Sequence, residues 1–175
     1  MAEYPAHLAH DRQLFDGRTV VIRPILPDDA PREREFLINL SGESWYLRFH
    51  KWVNAPSEKL IHFLTDIDYD RHMAFVCAAP HNDGEELVGD ARYVVNPDGT
   101  SCDFGIIIAD AWRKTGIAGL LMEALIRSAR DRGLERMEGL VLSNNTTMLR
   151  FARALGFEVC PIPDDPRTKL VVKKL

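Results

Sequence analysis

The sequence predicts a single α/β domain in which helices cover both faces of a mixed sheet. A chain of 175 residues, 46% of them hydrophobic, is long enough to bury one core without metals or disulfide bonds. Segments typical of strands alternate with segments typical of helices, and no repeat or low-complexity linker interrupts this order. We expect residues 1–17 to form an N-terminal extension and residues 18–175 to form the domain.

The pattern in the first part of the domain predicts one strand and two helices. Residues 19–23 are mostly β-branched or apolar and stop at Pro24, as a strand does. Asp28 is placed to cap a helix that reaches Leu40. A second helix is predicted from residue 54, because four apolar residues share one helical face: Leu60, Ile61, Leu64 and Ile67.

The rest of the chain is predicted to supply the remaining strands and two more helices. Strands are expected at residues 73–78, 86–95 and 102–109, and the last two should form an antiparallel hairpin. A long amphipathic helix ending at Gly133 is indicated by apolar residues at helical spacing: Ile117, Leu120, Leu121, Ala124, Leu125 and Ala129. The last elements are a strand at 137–142, a helix at 146–155, and paired strands at 157–160 and 169–172.

The charge and cysteine content of the chain argue against several classes of partner. The 22 basic and 26 acidic residues give a net charge of −4, which provides no overall attraction to nucleic acid or an anionic membrane. The chain has neither a signal-peptide pattern at its start nor an apolar run of membrane length. Three widely spaced cysteines, Cys77, Cys102 and Cys160, indicate free thiols rather than a disulfide framework. We therefore expect a cytoplasmic protein with no metal, nucleic-acid or membrane partner.

The segment that joins the strand at 102–109 to the long helix has the composition of a phosphate-binding loop. It reads Arg113, Lys114, Thr115, Gly116, Ile117, Ala118 and Gly119. A helix start offers unpaired backbone N–H groups and a partial positive charge, and small residues let a diphosphate approach them. The same glycines also suit a tight strand-to-helix turn without a ligand. A dinucleotide-binding fold is excluded, because the next strand ends in Leu142, Ser143 and Asn144 rather than in an acidic residue.

Two motifs carry a resemblance to a known family. Arg113-x-x-Gly116-x-Ala118 after an apolar strand resembles the acetyl-CoA motif of the GNAT superfamily of N-acetyltransferases. A second match to that superfamily follows in Asn145, Met148, Phe151, Gly156 and Phe157. The resemblance implies that residues 18–175 are one GNAT domain. Its mixed, mostly antiparallel sheet would have six or seven strands, of which the fourth and fifth splay apart.

The resemblance also implies how acetyl-CoA binds as co-substrate. The loop from Arg113 to Gly119 would hold the diphosphate, and the pantetheine arm would lie between the splayed strands. Backbone groups of Ile106 and Ile108 would bind the arm, and an N–H at Ile107 would face the thioester oxygen. The following helix would contribute three residues: Asn145, Met148 and Phe151. The acetyl group would then pass directly to an amine, without an acyl-enzyme.

The amine must lose a proton before it attacks, because a lysine with a pKa of about 10.4 is almost fully charged at neutral pH. Asp103 aligns with a glutamate of the protein-lysine acetyltransferases, and strand alternation puts Asp103, Gly105 and Ile107 on one face. Asp103 is therefore our candidate base, and the alternative is a solvated acid after a turn. Many family members protonate the leaving thiolate with a tyrosine, but Ala152 stands at that position, so the general acid is unassigned.

A longer-range likeness concerns the acceptor. Residues 40–49 and 68–71 are similar to the acetyltransferase domain of bacterial protein-lysine acetyltransferases, which implies a lysine ε-amine of a protein as acceptor. Two other functions stay open at this point: acetylation of a small-molecule amine, and a regulatory module that binds acyl-CoA without turnover. The sequence specifies neither the acceptor, nor the acyl-chain preference, nor the oligomeric state.

Other side chains have both a functional and a structural interpretation. His72 suits proton transfer, but a single histidine ahead of a strand is more often a packing residue. Arg150 and Arg153 share a helical face that either contacts the adenosine phosphate or is simply solvated. Trp45 and Tyr46 belong either to the acceptor cleft or to the core.

Overall fold

The computed structural model describes residues 3–175 as one eight-stranded sheet with helices on both faces. The strands are β1 (His10–Gln13), β2 (Thr19–Pro24), β3 (His72–His81), β4 (Gly84–Val95), β5 (Ser101–Ile108), β6 (Arg136–Leu142), β7 (Glu158–Ile162) and β8 (Asp165–Lys174). The helices are α1 (Ala30–Ile38), α2 (Gly42–Phe49), α3 (Glu58–Thr65), α4 (Ile117–Asp131) and α5 (Thr146–Ala154). Short 3-10 turns occur at Ala6–Leu8, Pro27–Asp29 and Asp110–Trp112.

The strand order is β1-β2-β3-β4-β5-β6-β8-β7, and every neighbouring pair is antiparallel except β5 and β6. This confirms the predicted mixed, mostly antiparallel sheet and the predicted hairpin of β4 and β5. The sheet has eight strands rather than the predicted six or seven. The additional strand is β1, which lies within the predicted N-terminal extension and pairs with β2. Its sequence, His-Asp-Arg-Gln, is polar and mostly exposed, so it lacks the alternation that identifies a strand.

Each face of the sheet carries its own core, as alternate residues of β3 illustrate. Met73, Phe75 and Cys77 pack in a first core together with residues of α4. Ala74 and Val76 point to the opposite face and pack in a second core with residues of α1, α2 and α3. This confirms that helices cover both faces. It also separates a face on which α4 lies from a face on which the three N-terminal helices lie.

The N-terminal helices begin and end at other residues than the sequence predicts. α1 ends at Ile38, and a separate helix, α2, follows where none was predicted. Ser41 caps α2 by accepting a hydrogen bond from the Ser44 N–H at 3.1 Å. α3 begins at Glu58 rather than at residue 54, because Pro56 disfavours helical geometry before it and Ser57 caps the helix.

β5 and β6 pair over only three residues and then diverge. Ser101–Asp103 align with 136–138, and Asp103 opposite Glu138 is the last pair. The next residue on β5, Phe104, packs its ring against Gly139, where an added Cβ would meet the ring at 2.7 Å. An aromatic ring therefore lies against β6 at the point where its pairing with β5 stops. The predicted splaying of these two strands is confirmed, and it opens a cleft between them.

α4 connects the end of β5 to the start of β6 across the first core. Its buried residues, including Leu121 and Leu125, occupy the apolar stripe predicted from the sequence. The helix begins beside the end of β5, so the mouth of the cleft and the start of α4 are close together. Among residues 3–175, none of the helices is both long and apolar enough to cross a bilayer.

Candidate functional site

The start of α4 presents backbone donors that the helix itself does not use. The first helical bond of this turn runs from the Leu120 N–H to the Gly116 carbonyl at 3.2 Å. The amides of residues 117–119 precede it and lie at the positive end of the helix dipole. Gly116 precedes the helix with a φ of 93°, a left-handed conformation that favours glycine. The first turn contains no acidic residue, so nothing in it opposes an anion.

Space for a ligand is available directly in front of this turn. An added Cβ at Gly119 would have no heavy atom within 4 Å, whereas one at Gly116 would meet the Phe15 ring at 2.9 Å. Ile117 is buried in the first core, so it offers only its backbone to the loop. Ala118 is half-buried beside it. The open side of the turn is therefore lined by small residues and amides, as a diphosphate site requires.

The side chains of the loop differ in what they contact. Arg113 and Lys114 are both exposed. The Arg113 guanidinium donates to Ser44 Oγ at 2.6 Å and lies 3.0 Å from an oxygen of Asp110. Asp110 in turn accepts hydrogen bonds from Ser44 Oγ at 2.7 Å and from the Ser41 N–H at 2.9 Å. Arg113 thus connects the phosphate loop to the start of α2, a link that the sequence does not reveal.

Thr115 has a local structural contact within the loop. Its Oγ1 donates to the Trp112 carbonyl at 2.6 Å, which ties the loop back to the 3-10 turn that follows β5. Lys114 has a φ of 60°, a left-handed conformation that is uncommon for a residue other than glycine. The loop is held in a tight conformation before α4 begins.

Backbone hydrogen bonds define which amides of β5 face the cleft. The Ala109 N–H donates to the Val88 carbonyl, and the Asn96 N–H donates to the Ser101 carbonyl, both at 2.8 Å. In a regular antiparallel ladder, odd-numbered residues of β5 therefore direct their backbone groups toward β4. Even-numbered residues, among them Ile106 and Ile108, direct theirs toward the cleft. The N–H of Ile107 points toward β4, so the ladder favours Ile106 over Ile107 as an amide donor in the cleft.

The closed end of the cleft carries two carboxylates on the face of α1, α2 and α3. Asp103 is exposed, and Glu138 lies opposite it on β6. The Asn96 Nδ2 donates to both, at 3.3 Å to Asp103 and 3.4 Å to Glu138. Asp103, Gly105 and Ile107 share this face, as predicted, because Ile107 packs in the second core. Glu138 was not predicted as a site residue, since its proximity to Asp103 depends on the pairing of strands far apart in sequence.

An arginine that the sequence did not single out lies between these groups. The Arg48 guanidinium packs against Gly105, where an added Cβ would lie 2.5 Å from both Cζ and Nη2. Its Nε is buried and has no hydrogen-bond partner among residues 3–175. Burial lowers the pKa of Arg48 to about 10, so the guanidinium is still protonated at neutral pH. A cation therefore stands on the cleft strand between Asp103 and Ile107.

Two of the other charged groups beneath this face are paired with each other. Asp90 and Arg92 are buried and form an ion pair, and Arg92 also donates to the Leu64 carbonyl at 2.9 Å. Glu33 is buried beside them, and its burial, with the nearby Asp90 charge, raises its pKa well above the usual value. This shift favours the uncharged form of Glu33. Oε2 of Glu33 and Nε of Arg48 are buried without a hydrogen-bond partner among residues 3–175.

α5 contributes the second predicted group of site residues. Asn145 caps the helix, its Oδ1 accepting a hydrogen bond from the Met148 N–H at 3.2 Å, so its amide NH2 is the polar group that remains for a ligand. Met148 and Phe151 are half-buried against the first core. Ala152 is completely buried. Its methyl group has no proton to donate, so this helix supplies no general acid at that position.

His72 is a packing residue. Its ring lies 4.9 Å from that of Phe63, and its Nε2 is 3.1 Å from Nη1 of Arg92. Burial and the Arg92 charge lower the pKa of His72 to about 4, so its ring is neutral at physiological pH. It shares a row across the sheet with Val94 and Asp103, two strands from the acid, a separation of about 10 Å. A direct hydrogen bond between His72 and Asp103 is excluded by this distance.

The remaining candidates divide between core and surface. Trp45 is buried and donates its Nε1–H to the Leu37 carbonyl at 2.8 Å, so it belongs to the second core. Tyr46 is half-buried and stacks on Trp52, with ring centroids 4.8 Å apart. Arg150 and Arg153 are both exposed, in agreement with a solvated basic face.

The chain is similar to known proteins in both sequence and structure. Residues 35–157 match the model of the acetyltransferase (GNAT) family. An acetyltransferase of Pseudomonas aeruginosa is 39% identical over 153 residues, covering 87% of this chain and 82% of that protein. The acetyltransferase Pat of Mycolicibacterium smegmatis is 31% identical over 145 residues, covering 82% of this chain but only 43% of Pat. The crystal structure of the GNAT domain of S. lividans PAT superposes with a TM-score of 0.89 at 28% identity, covering 99% of this chain and 100% of that domain.

Proposed function

The chain belongs to the GNAT family of acetyltransferases, and we propose that it transfers an acetyl group from acetyl-CoA directly to a lysine ε-amine of a protein. The proposal depends mainly on one observation: the anion site at the start of α4 adjoins the cleft between β5 and β6. The open amides of α4 lie beside the end of β5, and β5 diverges from β6 over residues 104–108. A ligand with a diphosphate at one end and an extended arm fits this arrangement.

The proposed position of acetyl-CoA follows from the direction of β5. The diphosphate binds the amides of residues 117–119, and Arg113 and Lys114 add positive charge. The arm lies along the cleft edge of β5, where Ile108 and Ile106 offer backbone groups. From Ile108 to Asp103 is five residues, about 17 Å of strand. The thioester therefore lies near the closed end of the cleft, beside the Asp103 carboxylate.

In the proposed reaction, Asp103 takes a proton from the acceptor ammonium directly or through a water molecule. The neutral amine nitrogen attacks the thioester carbon, a C–N bond forms, and the C–S bond breaks to release the coenzyme A thiolate. The nitrogen then gives up its second proton to water, which leaves a neutral amide. A backbone amide that faces the cleft stabilises the oxygen on which negative charge develops. The hydrogen bonds between β4 and β5 favour the Ile106 N–H for this role, because the Ile107 N–H points toward β4. A thiol with a pKa of about 8.5 is a tolerable leaving group without a general acid.

The choice of a protein lysine as acceptor has two supports. The chain is similar to the acetyltransferase Pat and to the GNAT domain of a protein named PAT, although it spans less than half the length of Pat. The closed end of the cleft also carries Asp103 and Glu138, whose carboxylates attract a cationic side chain from solvent. A small-molecule amine satisfies the second support equally well, so the acceptor must be tested.

One observation favours a second function, binding of acyl-CoA without turnover. The buried Ala152 replaces a proton donor that many family members use, and this loss is compatible with a regulatory module. The two functions differ in a simple assay. The protein is incubated with acetyl-CoA and either lysine-bearing proteins or small amines, and free thiol release is followed together with acetyl-lysine by mass spectrometry.

Thiol release that depends on a protein acceptor, with acetyl-lysine on that acceptor, supports the proposal. Release with small amines alone identifies a small-molecule enzyme. Binding of acetyl-CoA in calorimetry without thiol release for any acceptor supports the regulatory module. The matched control is Asp103→Asn, which should bind acetyl-CoA as the native protein does but release thiol far more slowly.

A further inference from the structure

The unpaired guanidinium of Arg48 is the feature of this cleft that the proposed reaction does not use. The guanidinium lies on Gly105, between Asp103 and Ile107, on the face of the sheet that carries α1, α2 and α3. Its Nε is buried and donates to nothing in the described part of the chain. A buried N–H without an acceptor is costly and rare in native proteins. The position therefore requires an explanation beyond folding.

Packing alone does not account for an arginine at this position. The contact of Arg48 with the Phe49 ring, 4.8 Å from Cζ to the ring centroid, is one that an apolar side chain would also make. Arg48 is half-buried, and its Nε is buried without an acceptor, which costs stability, so a methionine of similar length would be favoured on stability grounds. Gly105 is also adapted to the arginine, because any side chain there would displace the guanidinium.

The charged groups around Arg48 do not provide its guanidinium with an ion-pair partner. Asp90 is already engaged by Arg92 through a buried ion pair, and it lies on the neighbouring strand opposite Ile107. Burial and the nearby Asp90 charge raise the pKa of Glu33 well above the usual value, which favours its uncharged form. Both acids lie near enough to act on Arg48 electrostatically, but the Arg48 Nε forms no hydrogen bond with either of them. An anion that entered the cleft beside Gly105 would find an unpaired, planar set of N–H donors, the geometry that binds a carboxylate through two hydrogen bonds.

We propose that Arg48 binds a carboxylate of the substrate next to the acyl carbon. The proposal rests on the proposed function, since it assumes that the acyl end of the coenzyme lies near residues 103–106. Two sources of the carboxylate fit this position. One is the acyl group itself, in a dicarboxylic acyl-CoA such as succinyl-CoA; the other is an acceptor that carries a carboxylate near its amine.

The first experiment measures binding and requires no acceptor. Calorimetry compares succinyl-CoA with butyryl-CoA, which has the same chain length without the charge, for the native protein and for Arg48→Gln. If the acyl group supplies the carboxylate, the native protein binds succinyl-CoA at least ten-fold more tightly than butyryl-CoA, and the variant loses this preference. Acetyl-CoA should bind both proteins equally, because it has no carboxylate to lose.

The second experiment tests the acceptor as the source. With acetyl-CoA fixed, thiol release is compared for β-alanine and β-alaninamide at equal concentrations of free amine. A preference of at least ten-fold for β-alanine in kcat/KM, lost in Arg48→Gln, assigns the carboxylate to the acceptor. Arg48→Lys should recover only part of either preference, because lysine keeps the charge but not the planar pair of donors.

Two controls separate this role from a structural one. Arg34→Gln removes an arginine that is paired with Glu58 away from the cleft, and it should leave both preferences unchanged. Thermal unfolding of Arg48→Met should show a Tm equal to or above that of the native protein, whereas a structural arginine would lower it. A native protein that binds acetyl-CoA but prefers neither carboxylate overturns the inference about Arg48. A native protein that binds no acyl-CoA instead overturns the proposed function.

Discussion

Asp103 and Glu138 face each other at the last position where β5 and β6 are paired, and a single amide, Asn96 Nδ2, donates to both. The cleft begins at this pair, because the two strands diverge immediately beyond it. Asp103 is the more exposed of the two acids. The pair therefore stands where the thioester is expected, with one carboxylate accessible to an acceptor from solvent.

Replacement of Asp103 by asparagine should reduce kcat by at least about 100-fold, the usual contribution of a general base. The KM for acetyl-CoA should change little, since the diphosphate binds at the other end of β5. The measurement is thiol release at saturating acetyl-CoA over a range of pH. At high pH, where the amine loses its proton without help, the difference between Asp103→Asn and the native protein should shrink.

The matched control for this substitution is Glu138→Gln, which neutralises the neighbouring acid on β6. Its kcat should fall much less than that of Asp103→Asn, because Glu138 is half-buried and also contacts Arg136. Equal losses in the two variants would mean that the pair acts only through its total charge. A rate for Asp103→Asn that matches the native protein at every pH would remove Asp103 from the mechanism.

Gly119→Ala should weaken the binding of acetyl-CoA by about ten-fold without destabilising the fold. An added methyl there enters open space in front of the amides of α4, the proposed place of the diphosphate. Alanine is a better helix former than glycine by about 1 kcal/mol, so the free energy of unfolding should stay equal or rise. Calorimetry gives the Kd, and urea denaturation gives the stability.

Gly133→Ala is the control at the opposite end of the same helix. Gly133 has a φ of 85° and equally open surroundings, so alanine should cost about 1 kcal/mol of stability through backbone strain. Its Kd for acetyl-CoA should equal that of the native protein. If Gly119→Ala binds acetyl-CoA normally, the space in front of α4 is not where the diphosphate lies.

Arg113→Ala should raise the KM for acetyl-CoA by about ten-fold and leave kcat nearly unchanged, because the diphosphate is remote from the bond that reacts. Arg113 also connects to α2 through Ser44, so the two roles must be separated. Ser44→Ala removes the direct hydrogen bond, keeps the positive charge and leaves only the connection through Asp110 to the Ser41 N–H. A small effect of Ser44→Ala beside a large effect of Arg113→Ala indicates a phosphate contact; equal effects indicate that the link to α2 is what matters.

The proposed coenzyme half of the site depends more on local sequence patterns than the proposed acceptor half does. The loop at residues 113–119 and the cap at Asn145 depend on local patterns, namely small residues at a helix start and an amide before a helix. Arg48 meets Gly105 only because α2 folds onto β5, and no spacing along the chain encodes that contact. The sequence did contain a signal for α2, the helix that was not predicted. Ser41 can cap a helix, and an acidic residue follows it in the first turn.

The direction in which the backbone N–H groups of β5 point also depends on contacts that are distant in sequence. Alternation along the sequence predicts which side chains share a face, and it correctly grouped Asp103, Gly105 and Ile107. It does not reveal toward which neighbouring strand a backbone N–H points, because that depends on the register with β4. The bond from the Ala109 N–H to Val88 fixes this register and moves the expected cleft-facing donor from Ile107 to Ile106.

His72 should make the stability of the protein fall when the pH is lowered from about 6.5 to about 4. Burial lowers the pKa of the folded-state His72 to about 4, whereas an unfolded histidine titrates near about 6.5. Between these values the unfolded state binds more protons, so acidification favours unfolding. Glu33, with its raised pKa, acts in the opposite direction, and other acids also titrate in this range.

The test is therefore the difference in unfolding free energy between the native protein and His72→Gln at pH 5 and pH 7.5. The native protein should lose more stability on acidification than the variant, and an identical pH dependence of the two would show that His72 is not buried as a neutral ring.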